Sequence, residues 1–264
     1  MKRVYRTEAN RTYWDRRWSQ SVEDADKFED LTIYPIRYAE NVVKQKKGKI
    51  LEIGCGLGRL VKHYSNLGRE VVGIERSKVA VDKIQAKSPN LAVYTGDALK
   101  LEFDDNSFEI ILAFGVYHNF ESGLEMGIRE VARILKPEGH FVISMRPQNF
   151  EMILNEWYWR WRNKGARGAK KHFHKMVVRE KEFRNILQKY GLLTEFVYKA
   201  RNMSILFRVP FLRSSEIKHA SETIRRAKGY KLNWLGRFMD KLLTSLFPGQ
   251  FCNVLVFEGR RAGS

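Results

Sequence analysis

The sequence predicts an α/β fold in which a mostly parallel sheet is covered by helices on both faces. Short apolar runs alternate with amphipathic helical patterns along the chain, at spacings typical of strand–helix–strand units. One of these units has a loop with three glycines between its strand and its helix, at residues 54–58. In a parallel sheet the carboxyl ends of the strands share one edge, where ligands bind. We therefore expect a ligand site at that edge.

The predicted elements follow one another closely in the first half of the chain. Residues 11–47 have a largely helical pattern. Five apolar runs are predicted as strands, at residues 50–53, 71–74, 91–94, 110–114 and 141–144. Helices are predicted between them at residues 57–67, 79–87 and 123–135, and Ser77 is a suitable N-cap for the second. After residue 146 the alternation is interrupted, and it resumes with a helix at 181–189 and strands at 193–198 and 253–257.

The glycine loop predicts a binding site for a nucleotide-containing cofactor. Glycines allow a tight turn and a close approach of a ligand to the main chain, and the helix that follows offers unpaired N–H groups. A dinucleotide site needs a third glycine where this sequence has Arg59, whose side chain would crowd the contact between helix and strand. Glu75 ends the next strand, where any adenosine ligand needs a carboxylate for its ribose hydroxyls. Glu75 suits either kind of ligand, but Arg59 in place of the third glycine disfavours NAD.

Four sequence landmarks make the cofactor more specific. They are Glu52-x-Gly54-x-Gly56-x-Gly58, Glu75, Gly96-Asp97-Ala98 and Leu135-Lys-Pro-Glu-Gly139. In order and spacing they resemble the class I S-adenosylmethionine-dependent methyltransferases. The resemblance covers about residues 45–146, with weaker similarity at 178–200 and at the last strand. It implies a Rossmann-like sheet of seven strands with an antiparallel last strand, and S-adenosylmethionine as the cofactor, released as S-adenosylhomocysteine.

The resemblance also implies which residues hold the methionine and ribose parts of the cofactor. The backbone from Gly54 through Gly56 to Gly58 is expected to cradle them. Glu52 is expected either near the amino end of the methionine or as a cap for the loop. Glu75 is expected to bind both ribose hydroxyls.

The adenine and the reacting end are assigned to later residues by the same resemblance. Arg76 is expected beside the adenine, which the side chain of Asp97 and the N–H of Ala98 would bind. Phe114 and Gly115 are expected to line the methionine side.

The best-placed candidate for a catalytic base is His118, directly after the fourth predicted strand. A role in shaping the acceptor pocket explains this histidine equally well. In many relatives an N-terminal aromatic closes over the cofactor; Tyr13 and Trp14 are candidates, although core packing explains them about as well. His172 and His174, in a lysine-rich segment interpreted as a loop over the acceptor pocket, have no nearby acids, so no metal site is predicted.

The chain is interpreted as one methyltransferase domain of 264 residues. An N-terminal helical cap at 1–47 precedes a cofactor-binding half at 48–147. Basic and aromatic insertions at 148–178 and 202–250 are expected to form a lid over the acceptor site.

Composition limits the possible partners and locations. The net charge of +18 indicates either a polyanionic partner, such as nucleic acid or an anionic membrane, or only a solvated basic surface. Cys55 and Cys252 have neither disulfide nor metal-ligand spacing, and a small residue suits the glycine loop. No apolar run is long enough to span a membrane and the N-terminus lacks a signal peptide. A cytoplasmic location is expected, with peripheral contact to the inner membrane face as an option.

The insertions carry the information about the acceptor. Residues 157–181 combine Trp157, Tyr158, Trp159 and Trp161 with nine Lys or Arg and a single acid, Glu180. This pattern fits an RNA platform, an interfacial membrane anchor or a packed lid. A helix at 232–247 has one apolar face with basic flanks. Its apolar residues are Leu235, Phe238, Met239, Leu242, Leu243 and Leu246. Packing of this face against the core is the favoured interpretation.

These observations predict a methyltransferase acting on a small or lipid-linked acceptor, with oxygen as the expected nucleophile and His118 assisting. The first alternative is a tRNA or RNA methyltransferase that uses the basic insertions to hold phosphates. The sequence lacks the Asn/Asp-Pro-Pro-aromatic motif of amino-methylating nucleic-acid enzymes after the fourth strand, which lowers that alternative. The second alternative is a non-catalytic protein that retains the cofactor site as a scaffold. The acceptor and the oligomeric state are not encoded in any motif.

Overall fold

A computed structural model describes residues 1–6, 14, 16–19, 31, 34–162, 170–201, 203–217 and 230–263. The strands are β1 (Lys2–Arg6), β2 (Ile50–Ile53), β3 (Val71–Glu75), β4 (Val93–Thr95), β5 (Phe108–Ala113), β6 (Leu135–Met145), β7 (His172–Val177), β8 (Leu192–Ala200) and β9 (Val254–Arg261). The α-helices are α1 (Ile36–Val43), α2 (Arg59–Asn66), α3 (Lys78–Lys87), α4 (Leu124–Ile134), α5 (Phe150–Arg162), α6 (Glu180–Lys189) and α7 (Trp234–Leu246).

Seven of these strands form one sheet, in the order β4-β3-β2-β5-β6-β9-β8. The pairs from β4 to β6 are parallel, whereas β9 runs antiparallel to both β6 and β8. The predicted seven-stranded, mostly parallel sheet with an antiparallel last strand is confirmed. The neighbouring order β4-β3-β2-β5 brings the carboxyl ends of the four strands named in the prediction side by side.

Helices cover both faces of this sheet, because alternate strand residues point into two separate cores. Leu51 and Ile53 of β2 pack with apolar residues of α4 and α6. Ile50, the residue before Leu51, packs on the opposite side with apolar residues of α1, α2 and α3. The central strands are therefore buried on both sides, as expected for a parallel sheet.

Two local predictions need correction. The predicted N-terminal helical cap begins with a strand, β1, which pairs antiparallel with β7. The segment with His172 and His174, interpreted as a loop, is β7 itself, because its alternating residues find a hydrogen-bonding partner at the distant N-terminus. The prediction that Ser77 is the N-cap of α3 is confirmed, although its side chain makes no capping hydrogen bond. Most of the predicted helical region between residues 7 and 33 lies outside the described residues.

The predicted packing of the helix at 232–247 is confirmed only at its start, where Leu235 packs against a small apolar cluster of Phe207, Leu212 and Leu232. Phe238, Met239, Leu242 and Leu246 of α7 are 37% to 62% exposed. The helix contacts the chain through a different side, where Gly236 is buried so closely that an added Cβ would lie 2.7 Å from the carbonyl oxygen of Leu212. The larger part of the apolar face, from Phe238 to Leu246, is therefore turned away from the core.

The sheet depends on a glycine in its antiparallel half. A Cβ at Gly259 of β9 would lie 2.0 Å from the carbonyl oxygen of Leu193 in β8 and 2.9 Å from the ring of Phe141. Gly259→Ala is expected to lower the free energy of unfolding by about 3 kcal/mol, because neither the backbone nor the buried ring can move freely. Chemical denaturation measures the change. Gly249→Ala, where nothing lies within 4 Å of the added Cβ, is the matched control; equal stability of the two variants would contradict the prediction.

Candidate active site

The predicted cofactor residues converge on one edge of the sheet. Gly54 to Gly58 follow β2, Glu75 ends β3, and Asp97 follows β4. Phe114 and Gly115 follow β5 directly. Since these four strands are neighbours and parallel, the structure brings the predicted residues together at their carboxyl ends.

The loop after β2 has a conformation that only glycine adopts readily. Gly54, Gly56 and Gly58 have φ angles of +70°, +58° and +72°. An added Cβ at Gly54 would lie 2.4 Å from Cγ2 of Val116. Buried Cys55 has its pKa raised well above the usual value, chiefly by desolvation and then by the charges of Glu52 and Glu75. It is therefore a small packing residue in the loop and not an activated thiol.

Glu75 holds this loop in place as well as facing the expected ribose. Its Oε2 accepts a hydrogen bond from the backbone N–H of Gly56 at 3.0 Å, and its Oε1 accepts one from Ser77 N–H at 3.0 Å. A carboxylate oxygen has two lone pairs, so each oxygen retains capacity for a ligand hydroxyl. The carboxylate is thus fixed by the backbone before any ligand binds.

Glu52 is the most unusual carboxyl group of the site. It is 5% exposed, and burial raises its pKa to about 8, although a backbone hydrogen bond from Val61 opposes the shift. Its Oε2 is buried without a hydrogen-bond partner among the described residues. A buried carboxyl oxygen that lacks a donor is costly, and a cationic amino group would satisfy it. This orphaned oxygen fits the amino end of S-adenosylmethionine. The hydrogen bond from Val61 N–H, in the first turn of α2, supports the capping role of Glu52, and its contact with the methionine amino group stays a prediction.

The adenine end is more open. Oδ1 of Asp97 accepts a hydrogen bond from Leu99 N–H at 3.0 Å, which shapes the turn after β4, and Ala98 is buried beside it. Arg76 and Leu99 line a cleft of about 360 Å³ that continues to Asn119. A larger cavity of about 570 Å³ lies beneath the second insertion and contains none of the predicted site residues.

The loop after β5 is held by a hydroxyl that sequence reasoning missed. Oγ of Ser144, at the end of β6, accepts a hydrogen bond from Gly115 N–H at 2.9 Å and lies 3.0 Å from the hydroxyl of Tyr34. Phe114 packs edge-to-face on Tyr34, with ring centroids 5.7 Å apart. The only signal in the sequence is that Ser144 is a hydroxyl at the end of an apolar strand.

His118 lies on the acceptor side of this loop. It belongs to a short 3-10 helix, Tyr117–Asn119, and its Cε1 lies 3.8 Å from the position that a Cβ on Gly115 would take. The imidazole is 8% exposed, and its Nδ1 has no hydrogen-bond partner among the described residues. Burial, followed by the positive charges of Arg146 and Lys175, holds the pKa of His118 well below its usual value. The ring is therefore neutral at pH 7 and is a weaker base than an exposed histidine.

A buried charged cluster packs next to His118, on β7. Lys175 is 7% exposed and forms an ion pair with Glu156 of α5 at 2.9 Å, and Arg6 of β1 binds the same carboxylate at 2.9 Å. Desolvation lowers the pKa of Lys175 to about 8 and that of His174 to about 3. The described residues contain no group of three or more His, Cys, Asp or Glu able to hold a metal. Lys175 and Arg6 make this cluster positively charged, and we call it the β7 wall. The spacing of His172 and His174 did not predict it.

An N-terminal aromatic does lie against the cofactor loop, but it is Trp18. Its indole would be 3.0 Å from a Cβ on Gly56. Trp14 stacks on Trp18 with centroids 5.5 Å apart, and Arg17 lies over both rings. Tyr13, the other candidate, lies outside the described residues.

Comparison with known proteins agrees with this geometry. Residues 51–143 match the family model of a methyltransferase domain. Over 153 residues the chain is 33% identical to a ubiquinone biosynthesis O-methyltransferase of Bartonella tribocorum, covering 54% of this chain and 60% of the relative. Over 112 residues it is 36% identical to a demethylmenaquinone methyltransferase of Chlorobaculum tepidum, covering 41% of this chain and 46% of the relative.

The same assignment holds at the level of the fold. A solved S-adenosylmethionine-dependent methyltransferase of Methanosarcina mazei has a TM-score of 0.56 to this chain at 19% identity, covering 88% of this chain and 99% of that one. Residues 51–143 thus match a methyltransferase domain, and the chain has the fold of the class I methyltransferases. The cofactor of this family is S-adenosylmethionine, and the glycine cradle and the orphaned Glu52 oxygen fit it.

The chain spans about half the length of the two curated relatives, 60% of the first and 46% of the second. The family model covers residues 51–143, which lie within the predicted cofactor-binding half. Among the helices that the structure describes, none combines the length and apolar character needed to cross a bilayer.

Proposed function

We propose that this methyltransferase methylates an acidic hydroxyl, of the phenol or quinol class, on a small or lipid-linked acceptor. The observation that carries the proposal is the unpartnered, buried Nδ1 of His118 beside Gly115, with cationic side chains behind it. The names of the two relatives, which refer to ubiquinone and menaquinone biosynthesis, support a quinone-type acceptor.

The electrostatics favour a phenol over an aliphatic alcohol. Positive charges on Arg146 and Lys175 disfavour the imidazolium form of His118. The same charges favour an oxyanion on a bound acceptor, because a nearby opposite charge stabilises the ionised form. A neutral histidine in this field is a weak base, which suits a hydroxyl that is itself acidic. The imidazole of His118 is too weak a base to deprotonate an aliphatic alcohol, whose pKa is high.

The residues divide the reaction between them. S-adenosylmethionine supplies, when bound, a methyl group activated by its sulfonium. The glycine loop and Glu75 hold the donor side, and Gly115 allows the acceptor side to approach it closely. His118 takes the hydroxyl proton at Nδ1 as the oxygen is methylated, and the closely packed β7 wall excludes water.

Replacement of His118 tests this proposal. His118→Gln is expected to lower kcat for a catechol or quinol acceptor by about 10- to 100-fold, because the proton acceptor is lost while the shape is roughly kept. Affinity for S-adenosylmethionine, measured by calorimetry, should change by less than about twofold. Methyl transfer is followed with isotopically labelled cofactor.

The matched control is His140→Gln, a half-buried histidine on β6 outside the site. Unchanged kcat in His118→Gln with every phenolic acceptor would show that the residue only shapes the pocket. Cofactor binding without methylation of any acceptor would instead favour the scaffold alternative.

A further inference from the structure

Two helices of the insertions expose continuous apolar rows. On α5 the row recurs at intervals of three or four residues and is 47% to 66% exposed; it consists of Phe150, Ile153, Trp157 and Trp161. On α7 it recurs every four residues and is 48% to 73% exposed; it consists of Trp234, Phe238, Leu242 and Leu246. These spacings place each set on one side of its helix. Within the described part of the chain, neither row is covered.

The acidic residues of both helices are turned the other way and paired. Glu151 of α5 is 2% exposed and pairs with Arg201 at 3.4 Å. Glu156 binds Lys175 and Arg6, as described above. Asp240, the acid of α7, pairs with the same Arg201 at 2.9 Å. No carboxylate therefore remains on the exposed side of either helix.

What remains beside the apolar rows is basic. Arg160 and Arg162 are exposed at the end of α5, and Arg237 and Lys241 are exposed on α7. The exposed sides of the two helices thus combine large apolar side chains with positive charge alone.

The two helices form one unit, which we call the α5–α7 surface. Arg201 bridges Glu151 of α5 to Asp240 of α7. The segment after α7 also binds the start of α5, where Glu151 N–H donates to the carbonyl of Gln250 at 3.0 Å. Phe150 packs edge-to-face on Phe251 at 5.8 Å. The two rows are therefore fixed relative to each other at this corner.

We propose that the α5–α7 surface docks on a bilayer that contains anionic lipid. Aromatic and leucine side chains beside Lys and Arg are the pattern of helices that lie in the lipid interface, where both burial and charge contribute. A second copy of the chain would bring a like-charged surface, with a net charge of +18 on each molecule. Bases of a nucleic acid could stack on the tryptophans, but the aliphatic side chains of Ile153, Leu242 and Leu246 can neither stack on bases nor bind phosphates.

This inference goes beyond the proposed function and stands without it, since it uses none of the site residues. Docking of this surface would bring the enzyme to the bilayer, in which a lipid-linked acceptor is dissolved. α5 connects the α5–α7 surface with the site around His118. Its exposed side carries Trp157, and its inner side carries Glu156, which pairs with Lys175 beside His118.

Vesicle partitioning of the full chain tests the proposal. We expect binding to phosphatidylcholine vesicles that contain phosphatidylglycerol, weak binding to phosphatidylcholine alone, and release by high salt. Trp157→Ser with Trp161→Ser, and separately Phe238→Ser with Leu242→Ser, should each lower the partition coefficient by about tenfold or more. Arg160→Gln with Arg162→Gln should cost about fivefold for each charge on the anionic vesicles only.

The matched control is Leu67→Ser with Met126→Ser, two side chains that are 63% and 50% exposed but lie away from this surface, at the C-cap of α2 and on α4. This variant should partition like the wild type. Calorimetry with S-adenosylmethionine on the same samples shows whether each variant is folded, and it separates failure of docking from failure of the proposed reaction.

Three results would overturn the proposal. One is the absence of binding to the anionic vesicles, or equal binding by the wild type and both apolar variants. Another is a dimer, seen by sedimentation, that the α5 and α7 variants dissociate, because the surface would then be covered by a second copy. The third is tRNA binding that these variants abolish while vesicle binding persists, because the surface would then serve RNA.

Discussion

Glu75→Ala is expected to weaken S-adenosylmethionine binding by about a hundredfold or more. The carboxylate accepts hydrogen bonds from the backbone N–H groups of Gly56 and Ser77, at 3.0 Å each, so its removal leaves two loop donors unpaired. It also removes the charged acceptor expected for the ribose hydroxyls, and charge-assisted hydrogen bonds are worth about 1.5–3 kcal/mol each. Loss of the loop geometry and loss of the ligand contact therefore add.

Isothermal calorimetry measures this change, and Glu75→Gln refines it. The glutamine carbonyl can keep one backbone hydrogen bond but not both, so its affinity should lie between those of the wild type and the alanine variant. Glu70→Ala is the control, since Glu70 is an exposed carboxylate that pairs only with a surface lysine, Lys49, at 3.3 Å. Wild-type affinity in Glu75→Ala would show that the cofactor does not lie over the end of β3.

The stability of the cofactor-free protein is expected to fall as the pH rises, because of Glu52. Burial raises the pKa of this carboxyl from 4.5 to about 8 in the folded chain. The folded state therefore binds the proton more tightly than the unfolded state, and the stability contributed by this group is fully present below about pH 4.5. It is lost as the pH rises towards 8, and the whole shift corresponds to about 5 kcal/mol.

Comparison of the wild type with Glu52→Gln isolates this effect, since the other titrating groups are common to both. The amide cannot ionise and its carbonyl can still accept from Val61, so the variant should be the more stable protein at pH 8 in the absence of cofactor. Chemical denaturation at pH 5, 6, 7 and 8 measures the difference. Parallel stability curves for the two proteins would contradict the assignment.

Cofactor binding should favour the wild type over Glu52→Gln. The cationic amino group expected near Glu52 favours the ionised carboxylate, so binding to the wild type at pH 7 should release a proton. Calorimetry in buffers of different ionisation enthalpy detects that proton, and Glu52→Gln should not release it. The variant is also expected to bind S-adenosylmethionine about tenfold more weakly, because a neutral amide replaces a charged acceptor.

The donor side of the site could be predicted from sequence because its chemistry is local. Gly54, Gly56 and Gly58 have positive φ angles that favour glycine. Glu75 and Asp97 lie at the carboxyl ends of parallel strands, where ligands bind. The sheet order then brings together residues that lie far apart in the chain. The Arg59 argument against NAD likewise needed only the loop and the helix that it begins.

The acceptor side could not be predicted in the same way, because its contacts are non-local. Lys175 reaches its place through the pairing of β7 with β1, and Arg6 and Glu156 reach theirs from opposite ends of 150 residues of sequence. The exposed face of α7 shows a second limit. Hydrophobic periodicity locates an apolar face but does not say what covers it, and here a contact through Gly236 turns that face outward.

The two-sided helix α5 has a consequence for how turnover would be controlled. A bilayer that orders α5 through Trp157 acts on the same rigid element that places Glu156 against Lys175. Linkage is reciprocal, so whatever factor the lipid surface adds to acceptor affinity, the bound acceptor adds to lipid affinity. If the α5–α7 surface docks as proposed, the enzyme would show interfacial activation, with its rate set by acceptor density in the plane of the membrane.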